Sequence, residues 1–145
     1  MQWDTSKQAG FTTSDHPWLP VPPSAAEYNV ETESRDPQSI LSFYKKLLAL
    51  RSSNGALRDG NYVPLDQDDP FVLAYLRKNA KPGQPVLVVL NMSGETRTVD
   101  LGLAAKGISE KSAQSLLAAP EISGDSTTLN HFTIPAFGVF VGTIR

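Results

Sequence analysis

The apolar run 86-VLVVLN-91 decides the fold class, because consecutive Val and Leu residues are typical of a strand covered on both faces. In residues 96–101, Arg97, Val99 and Leu101 alternate with polar residues, which predicts a half-exposed strand. Five further candidate strands are 61–67, 71–77, 113–118, 127–134 and 137–144. The separators carry turn-forming residues: Asp68-Asp69-Pro70, Lys81-Pro82-Gly83, Ser93-Gly94 and Pro135-Ala136. Short strands at this spacing predict a mainly β protein with an antiparallel β-sandwich at residues 59–145.

One long helix is predicted ahead of the strands. Asp36 suits its N-cap, Pro37 its first position, and Asn54-Gly55 a left-handed stop. Between them one apolar stripe recurs at helical spacing, formed by Ile40, Phe43, Tyr44, Leu47 and Leu48. Leu41 and Leu50 widen the stripe, so we expect this helix to contact two neighbours.

Residues 1–36 combine aromatic residues and prolines without a period of 2 or 3.6. This pattern predicts an ordered irregular segment that packs on a larger body, with a linker as the alternative. We expect Trp18, which precedes Leu19 and Val21, to anchor the segment in a core. For Trp3, a core anchor and an exposed stacking platform stay equally open.

The composition excludes several classes of function. The 145 residues are enough for one domain, whereas a complete barrel enzyme needs about 250. The net charge of −2 argues against nucleic acid or an anionic membrane as a partner. The absence of cysteine removes disulfides and Cys-based zinc sites. With no membrane span and no signal peptide in the pattern, we expect a cytoplasmic location.

The inventory of catalytic groups is short. His16 and His131 lie in different segments, and we expect structural roles for both. The acidic cluster Asp66, Asp68 and Asp69 predicts a hairpin turn, with a weak calcium site as the alternative. Glu27, Glu31 and Glu33 are expected to be solvated loop charges. The residues therefore predict no catalytic constellation, no metal and no cofactor.

Six short motifs follow one another through residues 1 to about 65. They are Met1-Gln2-Trp3-Asp4, Ala9-Gly10-Phe11-Thr12, Pro17-Trp18-Leu19-Pro20-Val21, Asn29-Val30-Glu31, Ser39-Ile40-Leu41 with Tyr44-Lys45-Lys46-Leu47, and Leu50-Arg51. In order and spacing they resemble the C-terminal third of α-glucosidases and oligo-1,6-glucosidases of the α-amylase superfamily. The later stretch, including 86–91, is similar in pattern only.

The resemblance implies that residues 1–58 are the end of a catalytic TIM barrel, with the long helix as its last, and that residues 59–145 are the C-terminal sandwich. Parent enzymes of this family hydrolyse α-glucosidic bonds with retention, using an Asp nucleophile, a Glu acid/base and a second Asp that lie upstream. The resemblance therefore places no catalytic residue here. It places Gln2, Trp3 and Phe11 at the rim of the sugar site. The expected partners are the missing barrel domain and, for the parent enzyme, an α-glucosidic oligosaccharide, and the chain alone is expected to be inactive.

Two other functions stay open. The first is a free-standing carbohydrate-binding sandwich that uses Tyr62, Tyr75 or the loop tryptophans for stacking. The second is a self-associating module, in which the apolar helix face pairs with a second copy to give a homo-oligomer.

Overall fold

The computed structural model describes residues 1–65, 69–79, 83–120 and 127–145. The chain divides into two units, Met1–Ala49 and Leu50–Arg145. Among the described helices, none has the length and hydropathy needed to cross a membrane. The predicted boundary between residues 58 and 59 stays a prediction.

The second unit is built on antiparallel sheet. Its strands are β1 (Asn61–Pro64), β2 (Val72–Lys78), β3 (Val86–Asn91), β4 (Arg97–Val99), β5 (Ser112–Ala119), β6 (Thr127–Thr128), β7 (Phe132–Ile134) and β8 (Val139–Ile144). Within the described residues they form a six-stranded sheet in the order β1-β2-β3-β8-β5-β6 and a two-stranded sheet of β4 and β7. All the pairings are antiparallel.

The main hydrophobic core lies on one face of the six-stranded sheet. It includes Leu76, Leu87 and Phe140 from the large sheet and Val99 and Phe132 from the small one. The rings of Phe132 and Phe140 meet edge to face, with centroids 5.0 Å apart. Both sheets therefore share one core.

β3 confirms the prediction made from 86-VLVVLN-91. Leu87 and Val89 belong to the main core, while Val86 and Val88 are buried in a second cluster on the opposite face. The prediction for residues 96–101 is also confirmed, since Val99 and Leu101 are buried while the polar residues between them are exposed.

Three helices precede β1: α1 (Val30–Arg35), α2 (Ile40–Ser53) and α3 (Gly55–Asp59). Single turns of 3₁₀-helix occur at Lys7–Gly10 and Pro23–Ala26. Residues 1–36 are otherwise irregular, but α1 was missed. Asn29 caps α1, because its Oδ1 accepts a hydrogen bond from the Thr32 N–H at 2.9 Å.

The long helix is confirmed, but both of its predicted ends are wrong. It begins at Ile40, where the Ser39 hydroxyl accepts the Ser42 N–H at 3.1 Å. The Asp36 carboxylate instead accepts the Gln38 N–H in a local turn. At the other end, Asn54 adopts extended backbone and caps α3 by accepting the N–H groups of Ala56 and Leu57. Capping chemistry was present, but each cap serves a neighbouring turn.

Other differences concern loops. The predicted strand 127–134 is interrupted, and His131 lies in the intervening turn with a φ of 60° rather than in a strand. Asp69 accepts the Phe71 N–H at 2.9 Å, as expected of a turn residue. The predicted turn residues Asp66, Asp68, Lys81 and Pro82 lie outside the described residues.

Candidate functional site

An open groove of about 430 Å³ lies within the first unit. Most of its wall is apolar. The residues that matter for its chemistry are Met1, Gln2, Tyr28, Ile40, Tyr44 and Leu48. Three of them, at i, i+4 and i+8 of α2, form the wall contributed by that helix.

Backbone hydrogen bonds hold the N-terminal residues beside α1. The Val30 N–H donates to the Gln2 carbonyl at 3.1 Å, and the Glu31 N–H donates to the Trp3 carbonyl at 2.9 Å. The Asn29 amide, only 3% exposed, donates to the Ala25 carbonyl at 2.9 Å and so ties the preceding turn to the same helix. This arrangement fixes Gln2 in the groove wall.

Glu33 is the carboxylate of the groove. It is half-buried, and its Oε2 accepts the Leu41 N–H at 3.0 Å, which satisfies a free amide in the first turn of α2. Glu33 therefore corrects the expectation of a solvated loop charge, because it lies in a helix and caps the next one. Glycosidase chemistry needs two carboxyl groups facing one bond, and the groove residues supply one.

A strained loop lies at residues 3–11. The Trp3 N–H donates to the Ala9 carbonyl at 2.8 Å, which closes the loop. Gln8, Ala9 and Gly10 all have left-handed backbone, with φ of 54°, 53° and 65°. A side chain at Gly10 would also place a Cβ 2.7 Å from Asp4 Oδ2, so this position requires glycine.

The Asp4 carboxylate is exposed on this loop. The Ser6 hydroxyl and then the Ser6 N–H donate to its Oδ1, and these bonds lower the pKa of Asp4 below 3.8. Ion pairing between Lys7 and Asp15 adds a second link across the same segment. The loop thus presents a fixed negative charge next to Trp3.

The predicted site residues divide into two places. Gln2 lines the groove, while Trp3 and Phe11 lie on the strained loop with 49% and 63% of their surfaces exposed. Trp18 is 94% exposed, so the prediction that it anchors a core is wrong. The sequence reasoning did not assign Tyr28 or Tyr44 to a site. For Tyr44 the helical spacing with Ile40 and Leu48 was the available signal.

The described ranges contain no group of three or more His, Asp or Glu side chains that could hold a metal ion. Asp66 and Asp68, the members of the proposed calcium cluster, fall outside them. Asp69 instead pairs with Arg97 at 3.4 Å, and the Arg97 guanidinium also stacks over Phe71.

Comparison with known proteins gives a consistent answer. Residues 1–60 match the alpha-amylase family, described as alpha amylase, catalytic domain. The chain is 44% identical over 94 residues to the oligo-1,6-glucosidase of Halalkalibacterium halodurans, covering 65% of this chain and 16% of that protein. It is 40% identical over 102 residues to the alpha-glucosidase of Culex pipiens, covering 70% and 17%.

Solved structures extend the likeness over nearly the whole chain. The trehalulose synthase MutB from Pseudomonas mesoacidophila MX-45 is 30% identical with a TM-score of 0.84, covering 99% of this chain and 24% of that one. The chain thus spans about a sixth of the length of the curated relatives it matches. On the strength of the catalytic-domain match, the sequence relatives and the shared architecture, the chain belongs to the α-glucosidases of the α-amylase superfamily.

Proposed function

We propose that the chain forms the non-catalytic C-terminal portion of an α-glucosidase-type glycoside hydrolase that cleaves α-glucosidic bonds in oligosaccharides with retention. In this proposal residues 1–58 complete the catalytic TIM barrel and residues 59–145 form the C-terminal β-sandwich that supports it. Two sheets sharing one core support the sandwich assignment. A cytoplasmic location is part of the proposal, since the sequence contains no cysteine.

The observation that carries the proposal is the exposed apolar stripe of α2. Ile40, Tyr44 and Leu48 are 73%, 57% and 59% exposed, although they line one groove wall together. Contiguous apolar surface of this kind marks an interaction site in proteins. Because the stripe belongs to the segment that matches an α-amylase catalytic domain, the rest of such a domain is the partner that best accounts for it.

The same segment supplies a candidate sugar-binding rim. Trp3 and Phe11 are exposed aromatic side chains on one closed loop, and Gln2 offers an amide at the adjoining groove. Aromatic rings stack on the apolar faces of sugars, and amides bind hydroxyl groups. We assign these three residues to the rim of the sugar site in the complete enzyme.

The test compares the isolated chain with a chimera. In the chimera, this chain replaces the matching C-terminal segment of the Halalkalibacterium halodurans oligo-1,6-glucosidase. We expect the isolated chain to release no product from a chromogenic α-glucoside and the chimera to turn over isomaltose. Turnover by the pure isolated chain would overturn the proposal.

Variants of the chimera test the two surfaces separately. Ile40→Ser combined with Tyr44→Ser should shorten the half-life of activity on heating, whereas Leu19→Ser, at an apolar residue 65% exposed but off the helix, should not. Trp3→Ala should lower kcat/KM for isomaltose by about three- to tenfold, the size expected for one lost aromatic contact. Unchanged kcat/KM in Trp3→Ala would remove that residue from the rim.

The exposure of Trp18 favours a second candidate, a free-standing carbohydrate-binding module. Titration of the isolated chain with maltose or isomaltose, followed by tryptophan fluorescence, separates the two. A saturable change at millimolar sugar in the isolated chain, lost in Trp18→Ala, would favour this candidate over the first.

A further inference from the structure

A row of four apolar side chains crosses the six-stranded sheet on the face away from the main core. Leu73 of β2 pairs with Leu90 of β3, which pairs with Val139 of β8, which pairs with Ala119 of β5. Directly opposite residues in antiparallel strands share a face, so these four side chains lie side by side. None of them is buried, and Leu73 is 39% exposed. We call them the open row.

The next row on the same face is largely covered. Val88 and Val141, two residues along from the open row, are 5% and 3% exposed. They are buried in a cluster with Ala56 and Leu57 of α3, against which Leu50 also packs. Since Leu90 and Val139 pack against that same cluster, the open row continues an interface that already exists.

The covering residues indicate the kind of body that belongs on this face. Leu50, Ala56 and Leu57 all lie in the segment that matches an α-amylase catalytic domain, and the match ends at residue 60, just before β1. What covers half of the face is therefore catalytic-domain structure. The open half needs more of the same covering to exclude water from its apolar side chains.

The far edge of the face shows a polar group that also needs a partner. Tyr62 of β1 pairs with Arg77 of β2, and the Tyr62 ring lies 4.9 Å from that of Tyr75, centroid to centroid. Tyr62 is 52% exposed, while Arg77 Nε is buried without an acceptor among the described residues. A buried N–H of a charged group is costly when it is left without a hydrogen bond.

We propose that this sheet face is the docking surface for the remainder of an α-amylase-type catalytic domain, with the open row as its apolar contact. The inference rests on the proposed function and deepens it by naming the partner's seat on the sheet. The docked domain buries Leu73 and Tyr62 and presents an oxygen acceptor to Arg77 Nε. Residues 1–60 then contact the sheet as one part of a larger interface.

The experiment uses the same chimera and the isolated chain, each carrying Leu73→Ser or the matched control Leu116→Ser. Leu116 is 38% exposed but lies at the β5 register shift, outside the open row. In the isolated chain both substitutions should lower the urea midpoint by similar amounts. In the chimera, Leu73→Ser should speed thermal loss of isomaltose turnover about fivefold, because burial of the remaining leucine surface is lost, and Leu116→Ser less than twofold.

Each outcome decides one question. An unsubstituted chimera that folds without turning over isomaltose overturns the proposed function and this inference with it. A chimera that is active but loses activity equally fast with either substitution leaves the proposed function standing and overturns the docking surface. Sedimentation equilibrium of the isolated chain tests the remaining occupant, since a dimer abolished by Leu73→Ser would assign the face to a second copy and overturn the proposal.

Discussion

Replacing Asn91 should destabilise the sheet unit more than any surface change near it. Asn91 ends β3 and is 3% exposed. Its Nδ2 donates to the carbonyls of Glu95 at 2.7 Å and Pro135 at 2.8 Å, with a longer contact of 3.4 Å to Ile134. Its Oδ1 accepts the Ser93 N–H and hydroxyl. One side chain therefore joins the β3–β4 turn to the β7–β8 turn.

The magnitude follows from these bonds. Asn91→Ala removes four short hydrogen bonds, each worth about 1 kcal/mol net, and leaves carbonyls that water reaches only in part. We expect a loss of about 3 kcal/mol, which corresponds to about 10 °C in Tm for a chain of this size. Asn91→Asp keeps the acceptor but turns the donor into an oxygen that faces two carbonyls, so it should be at least as destabilising at neutral pH.

Urea unfolding followed by far-UV circular dichroism measures the effect, with the slope of the transition expected to stay unchanged. Met92→Ala is the matched control, because Met92 is the next residue and is 60% exposed. A loss below about 1 kcal/mol for Asn91→Ala, or a smaller loss for Asn91→Asp than for Asn91→Ala, would refute the reasoning from hydrogen bonds.

Gly142, Ser6 and Trp18 test close packing, a surface carboxylate and an exposed ring. Gly142→Ala places a Cβ 2.5 Å from the Phe140 ring, so the clash should cost about 2–3 kcal/mol in the same urea assay. Ser6→Ala should raise the lowered pKa of Asp4 toward 3.8 in an NMR titration, because the hydroxyl bond is the larger cause of the shift. The stability from this depressed carboxyl pKa is present above 3.8 and is lost as the pH falls through the lowered value, so only acid conditions should reveal the variant. Trp18→Ala should change stability by less than about 0.5 kcal/mol, since the ring is 94% exposed, and a larger loss in urea unfolding would contradict that exposure.

The sequence predicted elements well where local pattern and burial agree. The run at β3 could be read as a covered strand because five apolar residues leave no polar face, and the two clusters on either side of β3 confirm it. The helix ends were not predictable in the same way. Asp36 and Ser39 are both good caps, and the choice between them depends on the Ser39 hydroxyl also reaching the Glu33 carbonyl at 2.7 Å.

The site was harder to predict for a different physical reason. The surroundings of an aromatic side chain in an irregular segment depend on what packs against it, which neighbouring residues in the sequence do not specify. Trp18 was expected in a core on the strength of Leu19, yet Trp18 and Leu19 are 94% and 65% exposed. Glu33 was expected in solvent, but the Leu41 N–H that it accepts lies eight residues away.

The two units differ in how their own residues can stabilise them. Residues 1–49, all of them described, bury the apolar side chains of Ala9 and Ala25, whereas Leu50–Arg145 buries large residues such as Phe132 and Phe140. Burying a methyl group contributes about 0.8 kcal/mol, while ordering one residue of backbone costs about 1–2 kcal/mol. A 14-residue helix such as α2 is marginal on its own in water. Residues 1–49 therefore depend on apolar surface that is now exposed, and changes to that surface should affect assembly rather than the stability of the sheet.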